Sequence, residues 1–87
     1  MIAPTQADPV TRLEQAALRA REDQDRARAY GHWAGVLAAV DRERRHLEQA
    51  AGMLEEAAAL ATVIGDKPGA RAYRARAASL RGWACVL

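Results

Sequence analysis

The 87-residue sequence contains no phenylalanine, and only 5% of its residues are aromatic. Its hydrophobic fraction is 51%, but 22 residues are alanine, whereas leucine, isoleucine, valine and methionine together number 17. An alanine removes little apolar area from water, and burial stabilises by only about 25 cal/mol per Å². A monomer would therefore have a thin core, and we expect a partner chain, identical or different, to supply part of the buried area.

Cysteine and long apolar runs are also scarce. Cys85 is the single cysteine, so no internal disulfide can form and nothing requires an oxidising compartment. No run approaches the roughly 18 apolar residues of a membrane span, and residues 1–4 do not begin a signal peptide. These absences predict a cytoplasmic protein that does not enter a membrane.

Groups that converge for catalysis or metal binding are missing from the pattern. His32 and His46 are separated by 14 positions, roughly 21 Å along a helix, and one cysteine with a histidine falls short of a zinc ligand set. There is no glycine-rich phosphate loop and no nucleophile elbow. We expect neither an enzyme nor a protein that holds a metal or a cofactor.

The sequence does contain a long helical periodicity. Alternating steps of four and three residues from Trp33 trace an apolar stripe that only Arg44 interrupts. The stripe consists of Trp33, Leu37, Val40, Arg44, Leu47, Ala51, Leu54, Ala58 and Ala61. This spacing predicts an amphipathic helix over 33–64, whose length of roughly 48 Å exceeds that of most globular helices.

A shorter helix is predicted before it. Asp8-Pro9 is a typical helix start, because the aspartate can cap free amides and proline fits the first turn. An apolar stripe from Val10 then predicts a helix over 9–30, preceded by a flexible tail at 1–8. Gly31 favours a turn at the end of this helix; without it, the first two helices would form one rod of roughly 84 Å.

A third helix follows an unambiguous break. Gly65-Asp66-Lys67-Pro68-Gly69 combines residues that end one helix and cap the next, and a basic helix is predicted over 69–84. Residues 9–87 would therefore form one all-α domain. It is expected to be a three-helix antiparallel bundle, or a helical hairpin with a long central helix and a short third helix.

Charge is distributed unevenly along the chain. Residues 1–66 carry a net charge of −3, whereas residues 67–87 carry +5 and no acid. Arg71, Arg74 and Arg81 share a face of the third helix, where they could meet an acidic protein partner, nucleic-acid phosphates, or the acidic excess of the chain itself.

The central helix supplies the other candidate interface residues. Arg44 either lies at the edge of the solvated surface or pairs with an acid of a partner and fixes the register. The apolar residues chosen as partner anchors are Leu47, Leu54, Leu60 and Ile64.

The two tryptophans have two interpretations. Trp33 and Trp83 would meet in the core if the third helix folds back toward the start of the second. The alternative is that one of them is an exposed anchor for a partner, because tryptophan is enriched at binding hot spots.

Two segments resemble known families. Leu54 to Ala61, followed by Ile64 to Tyr73, resembles the helix-turn-helix joint of a tetratricopeptide array, with an alanine-rich helix, a Gly-Asp turn and a new helix that opens with alanine and tyrosine. Thr11-Arg12-Leu13-Glu14 with Arg21-Glu22 is similar to the start of short helical chaperones of bacterial type III secretion. The second resemblance implies a small helical protein that is stable only with a partner.

The function that these observations favour is a small helical protein–protein interaction module of bacterial origin. It would be an adaptor, a chaperone or an inhibitor that occupies a surface, working as a homodimer or with a different protein. The alternative is a small nucleic-acid-binding protein that uses the basic C-terminal helix.

Overall fold

The computed structural model describes residues 8–87 and confirms the all-α, three-helix fold. Helix α1 spans Pro9–Ala29, α2 spans Trp33–Val63 and α3 spans Lys67–Cys85. At about 1.5 Å per residue they are roughly 32, 46 and 28 Å long. The observed bounds lie within two residues of the predicted ones, and the predicted tail, apart from Asp8, lies outside the described residues.

The first and third helices begin at capping aspartates. Asp8 accepts a hydrogen bond from the Thr11 amide at 2.9 Å, and Asp66 accepts one from the Gly69 amide at 2.9 Å. Each bond satisfies an amide that has no partner within its helix. The hydrogen bond from the Thr11 amide also lowers the pKa of Asp8 below its ordinary value, because this bond stabilises the charged carboxylate.

Glycines with positive φ form both turns. Gly31 has φ 68° and Gly65 has φ 82°, the left-handed conformation that residues with a Cβ avoid. The turn expected near Gly31 is therefore present, and the chain reverses direction twice.

We expect Gly65→Ala to lower the free energy of unfolding by about 1–2 kcal/mol, because alanine is strained at this φ. Gly52→Ala is the matched control. Gly52 lies inside α2 with open space where a Cβ would stand, so alanine there should stabilise by about 0.5–1 kcal/mol. Urea denaturation followed by circular dichroism measures both, and a Gly65→Ala variant as stable as the Gly52→Ala variant would contradict the turn geometry.

Helix α2 is the element on which the other two pack. Among the described residues, the backbones of α1 and α3 approach α2 but not each other. The side chain of Arg76 in α3 reaches α1, where it pairs with Glu14 at 2.9 Å and donates to the Thr11 hydroxyl at 3.5 Å. The buried core cluster draws on all three helices and contains Val10, Ala17, Leu47, Ala50, Ala51, Leu54, Ala77, Leu80 and Ala84.

The predicted α2 stripe is buried over only part of its length. Its residues from Leu47 to Ala61 are buried, whereas Trp33 and Leu37 are exposed. In the first half of α2 the buried residues are instead Val36, Ala39 and Glu43, each one position before a stripe residue. The central helix thus presents one face to α1 and an adjacent face to α3.

Of the two interpretations of the tryptophans, the one in which Trp33 and Trp83 meet in the core was wrong. Trp33 is 64% exposed, whereas Trp83 is half-buried. The third helix is too short to reach Trp33, because Ala84 and Cys85 near its end already lie beside Arg44.

Candidate interaction surfaces

An apolar groove opens where α2 and α3 approach their connecting turn. It has a volume of about 300 Å³. Its lining consists of Ala57, Leu60, Ala61, Val63, Ile64, Asp66 and Tyr73. We call it the α2–α3 groove.

This groove exists because α1 is shorter than α2. Val10, near the start of α1, belongs to the same core cluster as Leu54 and Ala77. Leu60 and Tyr73 lie closer to the turn on α2 and α3, and α1, which begins at Pro9, does not extend over them. In the part of the chain that the structure describes, the groove is therefore the uncovered continuation of the surface on which α1 packs.

The four predicted apolar anchors fall into two pairs. Leu60 and Ile64 line the groove and are 68% and 78% exposed, so a partner can reach them. Leu47 and Leu54 are 0% and 2% exposed and belong to the core of the chain. Their assignment to a partner interface is corrected, because α1 and α3 already cover that part of the stripe.

The four arginines chosen from the sequence lie along the other side of the contact between α2 and α3. Arg44 and Arg81 line one depression there, and Arg71 and Arg74 line a second one with Lys67. We call these five cations the basic seam. Among the described residues, no carboxylate lies within 4.0 Å of Arg44, Lys67, Arg71 or Arg74.

Arg81 is the seam residue that the chain itself pairs. Its guanidinium donates to Glu55 from Nη2 at 2.5 Å and from Nε at 3.1 Å. This hydrogen-bonded charge pair lowers the pKa of Glu55 and raises the pKa of Arg81. Arg81 is thus a weaker candidate for an external anion than Arg71 or Arg74.

Arg81→Ala should raise the pKa of Glu55 toward the ordinary glutamate value near 4.5. Since the folded-state pKa of Glu55 lies below its unfolded value, the stabilisation from this pair is present above the unfolded pKa and is lost as the pH falls through the folded pKa. The Arg81 variant should therefore lose less stability than the parent protein over that acidic range. A carboxyl NMR titration tests the shift, and an unchanged Glu55 titration would contradict the pairing.

The groove and the seam face different directions. Leu60 lines the groove and Thr62 lines the seam depression that contains Arg74, and two positions on a helix are about 200° apart. A single helix of a partner therefore cannot contact both surfaces. The prediction from the sequence had assigned the apolar and basic anchors to one interface.

A third exposed surface lies at the opposite end of α2. Trp33, Leu37, Val40 and Arg44 follow one another in steps of four, three and four. Trp33 and Leu37 are exposed, while Val40 and Arg44 are half-buried. We call these four residues the upper stripe.

A buried polar site connects the three helices. Glu43 is 0% exposed; one carboxyl oxygen accepts from the Gln24 amide of α1, and the other accepts from the Trp83 indole of α3 at 2.5 Å. Within residues 8–87 every buried side-chain polar atom has a partner. This site fixes the positions of α1 and α3 on α2.

Sequence reasoning missed Glu43 because it lies in the charged segment Asp41 to His46, which is typical of a solvated band. A signal was present nevertheless. Glu43 continues the spacing of Val36 and Ala39, and Gln24 occupies the apolar stripe of α1. Single polar residues on two inward-facing stripes indicate a buried pair, because buried polar groups need partners.

The described residues contain no group of three potential metal ligands among histidine, cysteine, aspartate and glutamate. In the same part of the chain, no helix combines the length and apolar character that crossing a bilayer demands. What the three surfaces offer chemically is apolar contact area and cationic side chains.

Comparison with protein-family models, curated proteins and solved structures gives no match for this chain. The resemblances to a tetratricopeptide joint and to type III secretion chaperones therefore stay predictions.

Proposed function

We propose that this protein is a helical protein–protein interaction module that binds an amphipathic helix of another protein in the α2–α3 groove. One observation carries the proposal: the apolar surface on which α1 packs continues beyond Pro9, and within residues 8–87 no helix covers it. A surface already suited to the apolar face of one helix is suited to a second.

The chemistry of the groove sets the type of partner. Its walls are aliphatic and aromatic, with Leu60, Ile64 and Tyr73 as the largest groups. On the neighbouring part of this surface, which α1 covers, the corresponding space is filled by small and medium apolar side chains, namely Val10, Leu13 and Ala17. We expect the partner helix to carry similar side chains at three- and four-residue spacing, and adaptor, chaperone or inhibitor action would follow from the identity of that partner.

A helical peptide tests this proposal directly. The probe is a hydrocarbon-stapled peptide with valine, leucine and alanine at the spacing of Val10, Leu13 and Ala17, added to protein with labelled isoleucine, leucine and valine methyl groups. We expect the methyl signals of Leu60 and Ile64 to shift on addition, with little dependence on salt. Ile64 is one of only two isoleucines, so its signal is easy to assign.

Matched variants complete the test. Ile64→Asp should weaken peptide binding by more than about tenfold, the range of a hot-spot side chain. Leu37→Asp is the control, because it places the same charge on an exposed leucine at the other end of α2. A peptide that leaves the Ile64 methyl signal unmoved, or that binds the Ile64 variant as tightly as the parent, would contradict the proposal.

The nucleic-acid alternative depends on the basic seam and has weaker support. Arg81 is bound to Glu55 and Arg74 donates to Thr62 at 3.1 Å, so two of the three proposed phosphate contacts already have partners within the chain. If a DNA duplex binds, its affinity should fall steeply between about 50 and 200 mM salt. Binding of that kind, lost in an Arg71→Ala and Arg74→Ala double variant, would favour the alternative.

A further inference from the structure

Within residues 8–87 the upper stripe is uncovered, because α3 ends beside it. Ala84 and Cys85 lie next to Arg44, so the segment of α2 from Trp33 to Arg44 extends beyond the third helix. On this segment Trp33 is 64% exposed and Leu37 is 71% exposed. Solvent therefore meets a tryptophan and a leucine one helical turn apart.

Arg44 at the far end of the stripe forms no ion pair with the residues that the structure describes. Its side chain is half-buried, and among the described residues no carboxylate lies within 4.0 Å of its guanidinium. An arginine in this state suits the face of an aromatic ring, which attracts a cation without an ion pair.

The spacing of the stripe is the same in both directions. Steps of four, three and four read identically from Trp33 to Arg44 and from Arg44 to Trp33. An antiparallel copy of α2 would therefore set Trp33 against Arg44 of the second copy, and Leu37 against Val40 of the second copy. A two-fold axis generates each of these contacts twice, as in an isologous interface.

We propose that the upper stripe binds a second copy of this chain, in an antiparallel α2–α2 contact with an arginine–tryptophan stack at each end. The occupant is a second copy because the stripe supplies both members of each pair: the cation and the ring, the leucine and the valine. The interface is short, so we place it among the small and weak ones, below about 1,200 Å² of total buried area.

This dimer uses a different surface from the proposed function. The upper stripe lies at the start of α2 and the α2–α3 groove lies at its end, so the dimer leaves both grooves open. The assembly would present two identical binding sites far apart, and it would hold a bivalent partner more tightly than one copy does.

The molar mass in solution tests the dimer. Sedimentation equilibrium from about 10 µM to about 1 mM covers the range of a weak association. We expect the mean mass to rise from 9.4 kDa toward twice that value, with little change between low and high salt. A mass that stays at 9.4 kDa over the whole range overturns the proposal.

Paired variants locate the interface. Leu37→Asp should keep the circular dichroism of the parent and weaken dimerisation by more than about tenfold, and Trp33→Ala should do the same. Ile64→Asp, which tests the groove, should leave the dimer unchanged. A dimer that Ile64→Asp dissociates and Leu37→Asp does not lies at the groove and overturns the proposal, whereas loss of peptide binding alone counts only against the proposed function.

Cysteine cross-linking tests the orientation. In a Cys85→Ser background, Ala34→Cys and Asp41→Cys place thiols on exposed positions beside the stripe and leave its four residues intact. A mixture of the two proteins should oxidise mainly to the mixed disulfide, because antiparallel helices bring position 34 of one copy near position 41 of the other. A predominance of disulfides between identical proteins would overturn the antiparallel arrangement.

Discussion

Glu43→Ala is expected to lower the free energy of unfolding by about 3–5 kcal/mol. The change removes the acceptor of two hydrogen bonds, so the buried Gln24 amide and the Trp83 indole lose their partners, at about 1–3 kcal/mol for each unsatisfied group. It also leaves a cavity at a fully buried position. A domain of this size has only about 4–13 kcal/mol of stability, so the melting temperature should fall by roughly 15–30 °C.

Urea denaturation followed by circular dichroism measures the loss, and Glu56→Ala is the matched control. Glu56 is an exposed glutamate on the same helix, so its replacement should change stability by less than about 0.5 kcal/mol. A Glu43 variant as stable as the Glu56 variant would show that the three-helix hydrogen-bonded site does not form.

A rescue variant separates hydrogen bonding from packing. Replacing the three groups together, by Gln24→Leu, Glu43→Leu and Trp83→Phe, removes the polar atoms and the need to pair them. Buried polar clusters replaced by apolar residues are often as stable as the original. We expect the triple variant to regain most of the stability that Glu43→Ala loses, and a triple variant no more stable than Glu43→Ala would assign the loss to packing.

Leu54→Ala should lower the free energy of unfolding by about 2–5 kcal/mol, whereas Leu60→Ala should change it by less than about 0.5 kcal/mol. Both leucines lie on α2 and both are natural choices for a partner anchor from sequence. Leu54 is 2% exposed within the core cluster, and Leu60 is 68% exposed in the α2–α3 groove. Truncation of Leu54 leaves a cavity in the core, whereas truncation of Leu60 removes a side chain that is already in contact with water.

The same pair of variants should separate stability from binding. Leu60→Ala should weaken the stapled peptide while the protein stays folded, and thermal melting beside the methyl titration records both effects. Equal stability losses for the two variants would mean that the groove is closed in solution, and the interaction site would then have to be sought elsewhere.

Helix bounds followed from the sequence because local chemistry sets them. Asp8 caps the first helix, Asp66 caps the third, and the glycines at 31 and 65 adopt the turn conformations that other residues avoid. Each of these effects acts over a few residues, so a single sequence contains the information needed to place it.

The faces of α2 could not be assigned in the same way. Leu47 and Leu60 are equally apolar and both fit a helical stripe, but the length of α1 and the register of the two hairpins decide which one is covered. That register depends on contacts such as Glu43 with Trp83, which are 40 positions apart in the chain. Sequence periodicity predicts that a helix has an apolar face; it does not tell how far along that face a neighbour extends.

The packing of both outer helices on α2, and not on each other, has a consequence for how the chain folds. Within residues 8–87 the backbone contacts between helices join immediate neighbours in sequence, so most native contacts form by the closure of two short turns. Such local topologies reach the native state in microseconds to milliseconds. Either hairpin can form first and provide the surface on which the remaining helix condenses, so folding need not follow a single route.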